Sequence, residues 1–149
     1  MITSDVLPRL LNIIKNNRKW ILRKSQYDTS GWCAVSAIRL NRQLKTNGFK
    51  PQLVLVAHPR EGCHCFNILD EKIIDVTCDQ FQEARIVFKD KQQLPEKKHH
   101  WFWGWKTHIS KESKKNFSVI TNEEEIFDHV NDWDKCPQEY LPKEYFHTN

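Results

Sequence analysis

Two kinds of hydrophobic segment are missing from the sequence. No apolar run approaches the roughly 18 residues that a transmembrane helix needs. The first apolar stretch, residues 6–14, is interrupted by Pro8 and Arg9, and no small-residue cleavage site follows it. A secretory signal peptide is therefore not indicated. We expect a cytoplasmic chain without membrane insertion, and export by a system that reads no N-terminal signal peptide stays open.

Paired cysteines and the usual spacing of metal ligands are also missing. The cysteines number 5, and an odd count without a secretory signal argues against a disulfide framework. Cys63, His64, Cys65 and Cys78 lack the separation of two to four residues that is typical of paired zinc ligands. Neighbouring residues of a strand also point to opposite faces. We therefore predict no metal and no cofactor, with zinc as the minor alternative, and place Cys65 and Cys78 in the core.

The sequence has no strong excess of charge and no visible repeat, low-complexity segment or linker. Its net charge of +4 would suit an acidic partner or a nucleic acid, but it is too small to argue for either. We interpret it as a solvated surface. The chain has 149 residues, the usual size of one domain, so we predict a single domain over residues 1–149.

Apolar residues at helical spacing predict a helix near each end of the chain. Residues 5–23 carry such a pattern, and either Ser4 or Asp5 is a suitable cap. Residues 121–133 carry another, and Thr121 begins a capping-box pattern there.

Three strand candidates lie in the middle of the chain, at residues 52–57, 65–69 and 73–77. The Asp70-Glu71 pair between the second and the third is a turn signal, so a meander of three antiparallel strands is the simplest arrangement. Residues 85–88 would add a short fourth strand. The predicted class is α+β, with an antiparallel sheet on which a helix packs.

That packed helix begins at Cys33, directly after the polar loop of residues 25–32. Gly48 is placed to end the helix, and its buried stripe is formed by Cys33, Ala37, Leu40 and Leu44. A helix N-terminus stabilises negative charge, and a thiol is a good nucleophile only as the thiolate. Cys33 is therefore the candidate nucleophile.

A nucleophilic thiol also needs a base, and the base needs a third group to orient it. If Asp70-Glu71 is a two-residue hairpin loop, His64 and Asp75 are diagonal neighbours on one face of the sheet. Such neighbours lie about 7–8 Å apart between backbones, which their side chains can bridge. A three-residue loop would put them on opposite faces. His64 is thus the candidate base, and Asp75 the candidate orienting residue.

Several alternatives compete with these assignments. Cys33 taken alone would more simply be a buried structural thiol. His58 is a second candidate base, but the Pro59 that follows it favours a loop. Asp70 fits the turn better than the orienting role, and Asp79 lies beyond the predicted strand.

The order of these residues resembles a known superfamily. A helix-borne Cys, a strand with His and a neighbouring strand with Asp is the order of the papain-like and transglutaminase-like cysteine enzymes. The resemblance is closest to small papain-fold bacterial toxins and effectors, some of which are peptidases and some of which deamidate glutamine. It covers residues 25–81 and is carried by Gly31-Trp32-Cys33-Ala34, His64-Cys65-Phe66-Asn67, Ile74-Asp75-Val76-Thr77 and Gln80-Phe81.

The resemblance implies a papain-like core over about residues 25–90, with Cys33, His64 and Asp75 as the triad. It also implies Gln26 as an oxyanion-hole donor beside the Cys33 N–H. The sequence departs from papain itself, because it has no Cys-Gly-Ser-Cys-Trp motif and has Asp where Asn is usual. These departures argue against general proteolysis more than against the triad.

The implied activity is hydrolysis of an amide in a partner protein through a thioester, either deamidation of a glutamine or cleavage of a peptide bond. A lysine amine in place of water would give a transglutaminase. Trp32 and Trp103 are candidate substrate-binding residues. The Trp-rich residues 101–105 also fit a core latch, a partner-binding patch or, least favoured, stacking with nucleic acid. We expect a monomer, and the alternative is a binding or inhibitor protein that keeps the fold without turnover.

Overall fold

The computed structural model describes residues 2–58, 62–70, 72–77, 118–131, 133, 135–142 and 144. Its helices are α1 (Leu7–Lys24), α2 (Cys33–Thr46) and α3 (Glu123–Asn131). Its strands are β1 (Gln52–His58), β2 (Gly62–Leu69), β3 (Lys72–Ile74) and β4 (Ser118–Ile120), and a short 3-10 helix spans Gln138–Tyr140. The predicted strand at 85–88 and the Trp-rich residues 101–105 lie outside the described residues.

Helix α1 forms where predicted, but neither predicted cap is used. Its N-cap residue is Val6, and no side chain caps the helix. The Asp5 carboxylate instead accepts a hydrogen bond from the Thr3 hydroxyl, and the Thr3 carbonyl accepts from the N–H groups of Val6 and Leu7. Because Asp5 is engaged with its neighbour, the backbone turn and the proline in the first turn start the helix instead.

Helix α2 lies against both α1 and the sheet, and most of its residues are buried. Gly48 follows its C-terminus with φ of +87°, and the Phe49 N–H donates to the Leu44 carbonyl. This left-handed ending confirms the predicted stop, since glycine adopts positive φ without a Cβ penalty.

The sheet is antiparallel with strand order β3-β2-β1-β4, which confirms the meander. Strand β2 begins at Gly62, earlier than predicted, because residues 62–65 extend its pairing with β1. Strand β3 ends at Ile74, earlier than predicted. Strand β4 was not expected, because its three residues are too few to establish an alternating pattern.

Helix α3 packs its apolar side chains Ile126, Phe127 and Val130 into the core that α2 shares with β1 and β2. Its cap differs from the prediction. The Asn122 side chain accepts a hydrogen bond from the Glu125 N–H at 3.0 Å, so Asn122 caps the helix in place of Thr121. The protein is α+β, as predicted, with helices packed on an antiparallel sheet. In the part of the chain described, no helix is both long and apolar enough to cross a bilayer.

Gly31, two residues before α2, provides a stability test. Its φ is +81°, and a Cβ there would lie 2.6 Å from the Lys135 carbonyl oxygen, whereas Gly48 has a similar φ of +87° and open space around it. Gly31→Ala should lower the free energy of unfolding by roughly 2–4 kcal/mol, because backbone strain and a clash add. Gly48→Ala should cost only about 1 kcal/mol of strain. Urea denaturation of both variants measures the difference, and equal losses would contradict the close approach.

Candidate active site

The first turn of α2 holds the predicted nucleophile. Cys33 is the first residue of the helix and is 3% exposed. The first N–H groups of a helix have no acceptor within the helix, and the helix dipole favours negative charge there. Cys33 is therefore at the helix end where unpaired backbone N–H groups lie.

The hairpin between β2 and β3 sets the positions of the other two candidates. Leu69 pairs with Lys72, and Asn67 pairs with Ile74, which confirms the two-residue register on which the prediction depended. Asp70 adopts φ of +47° in this turn. Because β3 ends at Ile74, Asp75 follows the strand directly and lies in a turn beside β2.

His64 and Asp75 form a buried ion pair. The His64 Nε2 atom lies 2.5 Å from Asp75 Oδ2, and the two residues are 4% and 2% exposed. The other carboxylate oxygen, Oδ1, accepts from the Thr77 N–H at 3.1 Å and from the Thr77 hydroxyl at 3.3 Å. Both oxygens of the carboxylate are therefore held. The turn is fixed further by the Arg18 guanidinium, which donates to the Val76 carbonyl at 2.6 Å.

The His64 imidazole also forms a hydrogen bond with the Cys33 thiol. Burial opposes a charge on His64, but the Asp75 carboxylate and a hydrogen bond with the Cys33 side chain outweigh it and raise the pKa of His64 to about 10. Since Asp75 takes Nε2, Nδ1 is the ring nitrogen left for sulfur. The structure thus brings together the three residues selected from the sequence, and their catalytic roles stay predictions.

The family model described as YunG protein matches residues 12–115, well over half of the chain. The chain belongs to the YunG family. Cys33, His64 and Asp75 all lie within the matched range. No curated protein and no solved structure matches the chain. The family description states no activity, so the chemistry of this YunG protein rests on its own residues.

A buried amide pair links helix α2, which carries Cys33, to strand β2, which carries His64. Asn67, which is fully buried, donates to the Ala37 carbonyl at 2.9 Å, and Asn41 donates to the Asn67 side chain at 2.9 Å. These bonds fix α2 against β2 one turn after Cys33 and three residues after His64. Sequence reasoning missed this contact. Its only signal was a polar Asn67 within an otherwise apolar strand.

The remaining predicted site residues precede α2 in the chain or lie outside the described residues. Gln26 is exposed and has φ of +54°, and its oxyanion role stays a prediction. Trp32 is half-buried and packs at a tilt on Tyr140, with ring centroids 5.4 Å apart. Trp103 and the competing Asp79 lie outside the described residues.

The other two competing residues were Asp70 and His58. Asp70 is exposed in the turn, as expected for a turn residue. His58 ends β1, but its side chain lies outside the described atoms.

Three other thiols, those of Cys63, Cys65 and Cys136, differ from Cys33 in their surroundings. All three are free; Cys65 and Cys136 belong to the core cluster that contains Cys33, and the half-buried Cys63 packs against it. Burial, together with a contribution from Cys33, raises the pKa of Cys63, raises that of Cys65 well above its usual value, and raises that of Cys136 to about 12. All three should stay protonated at neutral pH. Among the described residues, no group of three or more His, Cys, Asp or Glu side chains is arranged to hold a metal ion.

The raised pKa of His64 can be measured directly. The ring should remain an imidazolium to a pH of about 10, whereas an ordinary histidine titrates near 6.5. It therefore contributes stability that is complete below pH about 6.5 and is lost as the pH rises through about 10. NMR titration of the His64 ring, assigned by its loss in His64→Gln, tests this. Cys33→Ala should lower the titration midpoint, and a midpoint near 6.5 in the wild type would contradict the ion pair.

Proposed function

We propose that this YunG-family protein is a cysteine-dependent hydrolase of amide bonds on a papain-like core. The observation that carries the proposal is the buried chain of contacts from the Cys33 thiol through His64 to Asp75. A histidine between a helix-borne thiol and a carboxylate is the arrangement that thiol hydrolysis needs. The antiparallel sheet with α2 packed on it supports a papain-like arrangement.

The proposed reaction uses each of these groups in turn. The Cys33 thiolate adds to the amide carbonyl, and the oxyanion is stabilised by the Cys33 N–H, with Gln26 as the predicted second donor. The His64 imidazolium then gives its proton to the leaving nitrogen, and the C–N bond breaks to leave a thioester. Neutral His64 next takes a proton from water, whose oxygen attacks the thioester and releases the acid and the thiolate. Asp75 holds the ring throughout and stabilises its charge.

The proposed substrate is an amide of a partner protein, with a glutamine side chain favoured over a peptide bond. The sequence lacks the Cys-Gly-Ser-Cys-Trp motif of papain and has Asp75 where Asn is usual, and both departures argue against general proteolysis. The two outcomes differ in mass. Deamidation of glutamine adds about one dalton to the target, whereas proteolysis divides its backbone.

Selective alkylation is the first test of the proposal. Iodoacetamide at neutral pH should label Cys33 before the other cysteines, because an imidazolium lies beside Cys33 while Cys63, Cys65 and Cys136 stay protonated. Peptide mapping after short exposures gives the order of labelling. Uniform labelling of all five cysteines would overturn the enzyme proposal. Mass spectrometry of candidate targets, with Cys33→Ala as the inactive control, then separates deamidase from protease.

One observation favours a second candidate function. Cys33 is only 3% exposed, which suits a binding or inhibitor protein that keeps the triad as a structural feature. Such a protein would bind its target without changing the target's mass. The mass measurement above therefore distinguishes the two functions. A binding protein would also bind its target equally well after Cys33→Ala.

A further inference from the structure

Helix α1 places an unusual concentration of positive charge beside the start of α2. Its sequence contains six lysine and arginine residues and no aspartate or glutamate. Lys19, Arg23 and Lys24, in its C-terminal half, are exposed. The helix ends at Lys24, and Cys33 begins α2 after the loop of residues 25–32.

Aromatic side chains join this charge to the nucleophile. Tyr140 lies between Trp20 and Trp32, with ring centroids 5.5 Å and 5.4 Å away, and the Lys24 Nζ atom is 5.9 Å from the centre of its ring. Trp20 and Trp32 pack on the core cluster that contains Cys33, and Trp32 immediately precedes Cys33 in the chain. Tyr140 remains 39% exposed. We name these side chains the basic–aromatic surface: Lys19, Trp20, Arg23, Lys24, Trp32 and Tyr140.

The charge of this surface contrasts with that of α2. Two of the three α2 cations are paired within the protein: Arg42 pairs with Glu123 at 3.2 Å and with Glu144 at 2.5 Å, and Lys45 pairs with Glu123 at 3.9 Å. The third, Arg39, lies 4.1 Å from the centre of the Trp20 ring. No acidic side chain among the described residues pairs with Lys19, Arg23 or Lys24. The positive charge of the basic–aromatic surface is therefore exposed to solvent, and an acidic partner would complement it.

We propose that the basic–aromatic surface docks an acidic segment of the substrate protein and presents a nearby amide to Cys33. This inference rests on the proposed function, from which it takes the need for a protein amide. Carboxylates of the segment pair with Arg23 and Lys24, while its apolar stems pack on Tyr140 and Trp32. A nucleic acid is disfavoured because the rings meet edge-on or tilted and Lys24 lies over the face of Tyr140, which leaves little flat surface for base stacking.

Docking can be measured without turnover in the Cys33→Ala variant. The probe is a short fluorescein-labelled peptide of alternating Glu and Gln, and its counterpart has Lys in place of Glu. Fluorescence anisotropy gives both affinities. The acidic peptide should bind at least about tenfold more tightly than the basic one, and raising the salt from about 50 to about 200 mM should weaken it.

Two variants with the same change in net charge locate the site. Arg23→Glu/Lys24→Glu should weaken binding of the acidic peptide by roughly tenfold or more, because it reverses the surface itself. Arg9→Glu/Lys50→Glu reverses two exposed cations elsewhere and should change the affinity by less than about threefold. Tyr140→Ala, which keeps all charges, should also weaken binding. Circular dichroism confirms that each variant is folded.

Several results would overturn the docking proposal. One is an equal loss in both charge-reversal variants, which would mean attraction by net charge alone. Others are a preference for the basic peptide, or tighter binding of a single-stranded RNA of similar length. Failure of the enzyme proposal is read separately, from iodoacetamide labelling and target mass, so docking without catalysis and catalysis without docking are distinguishable.

Discussion

Asp75→Ala is expected to lower the free energy of unfolding by about 3–5 kcal/mol at pH 7, the usual cost of removing one partner from a buried ion pair. The substitution leaves the His64 ring without the carboxylate 2.5 Å from its Nε2 atom. It also leaves the buried Thr77 N–H without the acceptor that it has at 3.1 Å. Urea denaturation followed by tryptophan fluorescence measures the loss.

Two further variants separate the ion pair from a general effect of removing a carboxylate. Asp128 is exposed on α3, so Asp128→Ala should change stability by less than about 0.5 kcal/mol. Asp75→Asn keeps the shape but removes the charge, so it should cost less than Asp75→Ala and should lower the His64 pKa. The deficit of Asp75→Ala should narrow as the pH rises through about 10, where the wild-type ring loses its proton. A loss no larger than that of Asp128→Ala would contradict the buried pair.

The parts of the fold that the sequence predicted are those set by local periodicity. The apolar stripe of α2 and the Asp70 turn depend on neighbours close in the chain, and both formed as expected. The end of β3 was not predicted, because it depends on a side chain. The Asp75 carboxylate accepts the Thr77 N–H, and this turn removes residues 75–77 from the ladder. An apolar pattern does not indicate where a side chain competes with a neighbouring strand for a backbone N–H.

The candidate site also has residues that local sequence rules predict and residues that they do not. Cys33, His64 and Asp75 were predictable because a helix start and a hairpin register place them from local rules. The amide contact of Asn67 with Ala37 and Asn41 was not, since it joins residues on different elements whose approach only the packed structure defines. The predictions of the two helix caps were wrong for a related reason. Asp5 accepts a hydrogen bond from Thr3 instead of capping α1, and Asn122, one residue after Thr121, caps α3.

His64→Ala is expected to slow the alkylation of Cys33 at pH 7 by roughly 10–30-fold, because a thiol without a cationic partner is only a few per cent thiolate at that pH. The ratio of the wild-type rate to the variant's rate should fall towards one as the pH rises through about 10, where the wild-type ring loses its proton. The variant's rate should rise about tenfold per pH unit, as it does for an ordinary thiol below its pKa of about 8.5. Alkylation reactions quenched at set times, with modification of Cys33 quantified by mass spectrometry, give the rate of each protein as a function of pH.

Controls for this experiment address folding and specificity. His64→Gln fills more of the space around Asp75 and should give the same slow alkylation if the loss reflects the missing charge rather than a cavity. His129 is exposed on α3, so His129→Ala should leave the rate of Cys33 alkylation unchanged. Asp75→Asn should give an intermediate rate, because it weakens the imidazolium without removing the ring. Faster alkylation of Cys33 in His64→Ala than in the wild type would mean that His64 shields the thiol instead of activating it, and the hydrolase proposal would fail with that result.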